Sequence, residues 1–346
     1  MPGVTASLAP AKTELRPRYR IAASDYVAAL EVALDGSFAA AGLGDGGVFL
    51  FDARTGSELA SFRAHAAGVL GVSLAPASDR FVTCGQDAVA RLWSSEGALL
   101  RELPGGTGGW VEHVAWSPTG DRLVTTSGKR VRIWSAGGDP IVETEPLEST
   151  VTGLAWRADG NSVAASCYGG VHVLPVVDGA KARHFAWKGS LVSIAWSPDA
   201  KVIACGSQDC SVHFWRVASG HDSEMSGYPF KPKALAWDGD SKLLATSGHA
   251  TITTWDFRGK GPEGTRPILL EGHQGAVTHL AFHPRKGLLA SGAQDTSVLL
   301  WEPRRGVKPT RFAFLDDEIT GLAWCAAHPT LIASDGSGTI AGWEIA

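Results

Sequence analysis

The chain has 346 residues, 44% of them hydrophobic and 19% charged, with a formal net charge of −4. That much apolar material can bury a continuous core, which excludes a disordered chain. The mildly acidic balance argues against a general nucleic-acid binder, and no apolar run approaches the ~18 residues of a membrane span.

Residues 1–14 carry no regular pattern and are expected to be a flexible segment. They show no apolar stretch after a basic start, so they are not expected to be a secretory signal. The five cysteines, an odd number, are expected to be reduced thiols in a cytoplasmic protein.

From residue 15 onward one phrase recurs. An apolar strand ends in Trp or a substitute, and a polar turn follows. The instances end at Phe51, Trp93, Trp134, Leu174, Trp215, Trp255, Trp301 and Trp343. Their spacings are 42, 41, 40, 41, 40, 46 and 42 residues. About twenty residues before each lies a second apolar phrase, such as VLGVSL (69–74), VEHVAW (111–116), VTHLAF (277–282) and ITGLAW (319–324). Between the two come a turn and a short apolar strand, for example RLVTTS. A less regular strand then leads to the next unit. A period of about 40–45 residues predicts stacked four-stranded blades. The strands read apolar almost throughout, as expected where both faces of a blade meet neighbours.

This pattern resembles the WD-repeat (Trp-Asp repeat) β-propeller family over residues 17 to 346. HQGAVTHLAFHPRKGLLASGAQDTSVLLWE (273–302) lies very near the family pattern, whereas the first and fourth units, with Phe51 and Leu174, are degenerate. The resemblance implies a single all-β domain over residues 15–346, and the eight units predict a propeller of eight blades, with seven as the alternative. Richness in Ala, Gly and Arg is a compositional pointer to a bacterial-type member. The last unit stops just past its third strand. Residues about 17–23 are expected to supply the missing outer strand, because PRYRIAASDY (17–26) aligns with PTRFAFLDDE (309–318). Such closure leaves no open sheet at the seam.

Two units carry His, a hydroxyl, Asp and Trp at matched offsets: His65, Thr83, Asp87 and Trp93, and His273, Ser291, Asp295 and Trp301. The residue types invite a Ser-His-Asp interpretation. The family resemblance implies instead a structural hydrogen-bond network, and a catalytic site has no reason to occur twice. In the fifth unit Trp187 stands at the His position and Cys205 at the hydroxyl position, which points to packing.

Cofactor signals are weak. No Cys-x-x-Cys pair occurs, so no metal and no cofactor are expected. GGTGG (105–109) lacks the Gly-Lys-Ser/Thr ending of a phosphate loop. GKGPEGTR (259–266) is expected to be a surface loop.

The remaining signal lies where the repeat stops repeating. The residues entering the inner strands, on the loop face around the channel, include Tyr26, Trp110, Glu112, Phe230, Lys231, Lys233, Asp317 and Glu318. Exposed aromatics are frequent binding anchors. The leading expectation is therefore a non-catalytic, monomeric scaffold that binds a protein or peptide across this face, with no nucleic-acid or membrane partner. Gln86, Gln208 and Gln294 belong to hairpins of the same face. Two other classes stay open: a propeller enzyme using Glu112, His113, Lys233 and His279, and an accessory protein in metal homeostasis with Cys and His ligands.

Overall fold

The computed structural model describes residues 13–106, 109–177 and 179–345. Its regular elements are β-strands throughout. The second unit shows the plan. Val69–Leu74 is the inner strand, followed outward by Arg80–Gly85, Val89–Ser94 and Leu99–Pro104. Each strand pairs antiparallel with the one before it. Burial follows position. Arg80–Gly85 is buried along nearly its whole length, while Leu99–Pro104 is mostly exposed. The near-continuous apolar character thus belongs to the middle strands, which are covered on both faces.

Inner strands pack on one another in chain order, and Ile319–Trp324 closes on Val27–Val32. The eight repeat units together form a closed propeller. The hydrogen-bonded sheets, however, number seven, which is the alternative count. The reason is local. In the fourth unit Ser162–Pro175 pairs inward with Gly153–Trp156 and outward with Arg183–Trp196. Arg183–Trp196 then runs without a break into the fifth unit and pairs with Val202–Ser207. Units four and five are therefore joined in one continuous sheet, within which Ser162–Pro175 turns back on itself at Gly169 and Gly170, both at positive φ, and the Val176 amide donates to the Asn161 carbonyl.

The apolar clusters lie between units. One joins Tyr19, Leu43, Phe49 and Phe51 to Ile332 and Ile340 of the last unit. Another joins Leu300 and Ala313 to Leu331 and Trp343. Each unit buries its faces against two neighbours, as in other repeat architectures.

The N-terminal strand completes the ring. Tyr19–Ala22 pairs antiparallel with residues 339–342, Tyr19 opposite Gly342. A Cβ on Gly342 would stand 2.3 Å from the Tyr19 ring, so only glycine lets this strand approach. Of the segment expected to be flexible, residues 1–12 lie outside the described residues. Thr13–Glu14 does take a place in the fold: it pairs in parallel with Arg311 and Phe312, adding a fifth strand to the seventh unit.

Candidate functional site: the loop face of the propeller

Two kinds of loop meet on this face, and the backbone shows it. The amides of Gly44, Gln86, Gln208, Gln294 and Gly336 donate to the carbonyls of Tyr26, Gly68, Ser190, Ala276 and Glu318. Each bond ties a hairpin between second and third strands to the loop entering the same unit's inner strand. Other bonds join neighbouring units: Val111 N–H to the Gly85 carbonyl, Val151 to Gly128, and Val277 to His249. The face is a hydrogen-bonded frame on which exposed side chains are mounted.

Three aromatics stand out from that frame. Tyr26, Trp110 and Phe230 are 47%, 52% and 57% exposed, large values for such side chains. Tyr26 lies across Gly44, where a Cβ would come within 1.9 Å of its ring. The Phe230 ring stacks on His249 with centroids 4.7 Å apart. Between these two rings and the next unit lies a depression of about 530 Å³, lined by Lys231, Lys233, Thr278 and Gln294 among others. Lys231 and Lys233 are exposed and bring positive charge to it.

The other residues singled out have work within the frame. Glu112 accepts from the Gly128 amide at 3.1 Å, bracing its own hairpin. Glu318 accepts from Gln294 Nε2 at 3.2 Å, across to the seventh unit. The Asp317 and Asp316 amides donate to the buried carboxylate of Asp335. The acidic run is thus anchored through its backbone, and Asp317 and Glu318 remain exposed.

His113 and His279 point elsewhere. Burial pushes both imidazoles down toward the neutral form, and each hydrogen-bonds to the backbone of the next unit, at Val151 and Ile319. Among the described residues no hydrogen bond joins any two of Glu112, His113, Lys233 and His279, so the geometry offers no assembled acid–base pair.

The two tetrads are continuous chains. His65 Nδ1 donates to Asp87 at 2.8 Å, Thr83 Oγ1 meets Nε2 at 2.7 Å, and the Trp93 indole donates to Thr83 at 2.9 Å. Burial raises the Asp87 carboxyl, but bonds from His65, Arg91 and the Ala66 amide outweigh it and hold it down at about 2. In the seventh unit Ser297 is interposed: His273 Nδ1 meets its Oγ at 2.8 Å, and Ser297 donates to Asp295 at 2.6 Å. His273 Nε2 and the Trp301 indole both meet Ser291 Oγ, at 2.7 and 2.8 Å. Thr83 and Ser291 are fully buried, so no substrate reaches either hydroxyl. The sixth unit has a variant that its sequence conceals. Tyr228 supplies the polar atom, bonded to Thr246 and to the Trp255 indole at 2.7 Å each. In the fifth unit Trp187 stacks on His213 with centroids 3.8 Å apart.

The opposite face carries a second depression, of about 410 Å³, lined by Asp238, His283, Arg285, Lys286, Arg304 and Arg305 among others. Its basic character is largely spent internally. Arg304 binds buried Asp238 at 2.6 Å and Arg305 binds Glu302 at 2.6 Å.

One cluster has no counterpart in the sequence patterns. His172 and His184 are directly opposite in the paired strands of the fourth unit, and Glu148 reaches them from the preceding loop. Their twelve-residue separation matches no ligand motif. Only the strand register brings them together.

Comparison with known proteins agrees with the architecture. Residues 27–263 match the family described as the IFT122 first β-propeller, and residues 264–302 match the WD domain, G-beta repeat. The chain belongs to the WD-repeat β-propeller family. It is 28% identical over 222 residues to the anaphase-promoting complex subunit cdc20 of Dictyostelium discoideum, covering 60% of this chain and 43% of that protein. It is 25% identical over 291 residues to the WD repeat-containing protein slp1 of Schizosaccharomyces pombe, covering 80% of this chain and 50% of that one. The chain therefore spans half or less of the length of these two relatives. The crystal structure of the computationally designed Ika8 protein superposes with a TM-score of 0.79 at 20% identity, over 94% of this chain and 98% of that one. That likeness concerns the fold alone.

Proposed function

We propose that this WD-repeat protein is a non-catalytic scaffold that binds a protein or peptide partner across the loop face. One observation carries the proposal: three half-exposed aromatics and a Lys-lined depression sit on a rigid hydrogen-bonded frame. Such anchors bury apolar area at low entropic cost because the frame is pre-organised. Lys231 and Lys233 favour a segment with acidic residues beside an apolar anchor. The relatives named as a complex subunit and as a WD repeat-containing protein support the same class of role.

We place the protein in the cytoplasm as a monomer. Five free cysteines support that location, and no helix among the described residues is long and apolar enough to cross a membrane. Affinity capture with the intact chain and with a Trp110→Ala, Phe230→Ala, Lys231→Ala variant tests the surface. Partners held by the first and lost by the second, both proteins being folded by circular dichroism, are expected. Equal capture by both would remove this face from consideration.

A further inference from the structure

The fourth unit gathers two imidazoles and a carboxylate at the rim of its sheet. His172 and His184 are register partners on adjacent antiparallel strands, Ser162–Pro175 and Arg183–Trp196. Their rings stack with centroids 4.3 Å apart and planes 10° from parallel. Glu148 Oε2 lies 2.7 Å from His172 Nε2. One candidate ligand atom from each of the three residues lies within 4.8 Å of the other two.

We infer that Glu148, His172 and His184 form a binding site for a first-row transition-metal dication of the Zn(II) class. A first-row ion holds nitrogen and oxygen ligands at about 2.0–2.2 Å, which sets ligand atoms about 3–3.5 Å apart. The triad's candidate atoms already lie within 4.8 Å of one another, so coordination requires only small changes of separation. The widest pair closes and the 2.7 Å pair opens, while the strand register stays as it is. Two imidazoles and one carboxylate suit Zn(II), Co(II) or Ni(II). Mg(II) and Ca(II) take all-oxygen sites. The site has an outer shell as well. His184 Nε2 lies 3.1 Å from the Gly169 carbonyl, so it carries the proton in the neutral ring and leaves Nδ1 with a lone pair. Cys167 Sγ lies 4.0 Å from Glu148 Oε2 but only 3.1 Å from the Tyr168 carbonyl, so its thiol is bonded to the backbone and is not counted in the triad. Glu148 and His184 are exposed, which leaves an entry path and an open coordination position.

Untagged full-length protein, stripped with chelator, is titrated with ZnCl₂ by calorimetry, with MgCl₂ as the oxygen-site control. One equivalent of zinc should bind and magnesium should not. His184→Ala and Glu148→Gln, both at exposed positions, should each weaken zinc binding at least tenfold. Absence of stoichiometric zinc binding, or unchanged affinity in both variants, would overturn the site. Neither outcome bears on the aromatic face, which is assayed by partner capture.

Discussion

His65 and His273 show how the same residue types serve structure or catalysis depending on access. In a hydrolase the hydroxyl faces substrate and the imidazole takes its proton. Here the hydroxyl oxygen already accepts the Trp indole N–H and its proton goes to imidazole Nε2. Both polar capacities are used, in a site closed to solvent. Ser291→Ala removes one oxygen and almost no volume, but it leaves two buried nitrogens without their partner. Urea denaturation of that variant should show a loss of about 1–3 kcal/mol. A midpoint unchanged from wild type would mean that the network adds nothing. The offsets of these residues were legible in the sequence because the repeat places them in register. Tyr228 was not, since it stands one residue away from the His offset and only its reach to Trp255 shows its part.

At the level of elements, the seams between units decide stability. Glu31 lies on Val27–Val32 and accepts from the Leu74 amide at 2.8 Å, joining the first unit to the second. At the equivalent position the second unit uses Ser73, whose Oγ accepts from the Trp116 amide at 3.1 Å. Burial pushes the Glu31 carboxyl up to about 7, against bonds from Leu74 and Ser73 that lower it. The linkage sign follows from that. An acid whose folded pKa exceeds its unfolded value favours folding while protonated, and the contribution is lost as pH rises from about 4.3 through 7. Glu31→Gln keeps an acceptor for Leu74 but cannot ionise. Its stability relative to wild type should therefore grow between pH 5 and 8, by on the order of 2 kcal/mol at the upper end. Parallel pH profiles of the denaturation midpoint for the two proteins would contradict this. The inner-strand phrases marked the strand, but nothing in VAALEV reveals that its Glu is enclosed. That depends on what the next unit sets against it.

For the whole molecule the decisive event is closure. The strand Thr339–Glu344 would present an unpaired edge without Tyr19–Ala22 beside it. Tyr19 is the latch. Its ring meets Phe51 edge-on with centroids 6.3 Å apart, and its hydroxyl donates to the Ala53 carbonyl at 3.1 Å. Tyr19→Ala should cost about 3–5 kcal/mol, as for other buried aromatics. Removal of residues 1–23 should lower the thermal midpoint further and promote self-association, read by scanning calorimetry and size-exclusion chromatography. A monomeric truncated chain with an unchanged midpoint would show that the ring closes without this strand.

The repeat period, the Trp positions and the aligned Pro17 and Pro309 were enough to determine a propeller closed by its own N-terminal strand. These are patterns of local period, and a repeat states its packing plan once per unit. The tertiary structure alone decided that units four and five share a sheet, that Thr13–Glu14 adds a parallel strand, and that Glu148, His172 and His184 converge. Each of these depends on a pairing that the recurring phrases do not encode. The sequence carries no periodic signal for such a contact, and strand register supplies it.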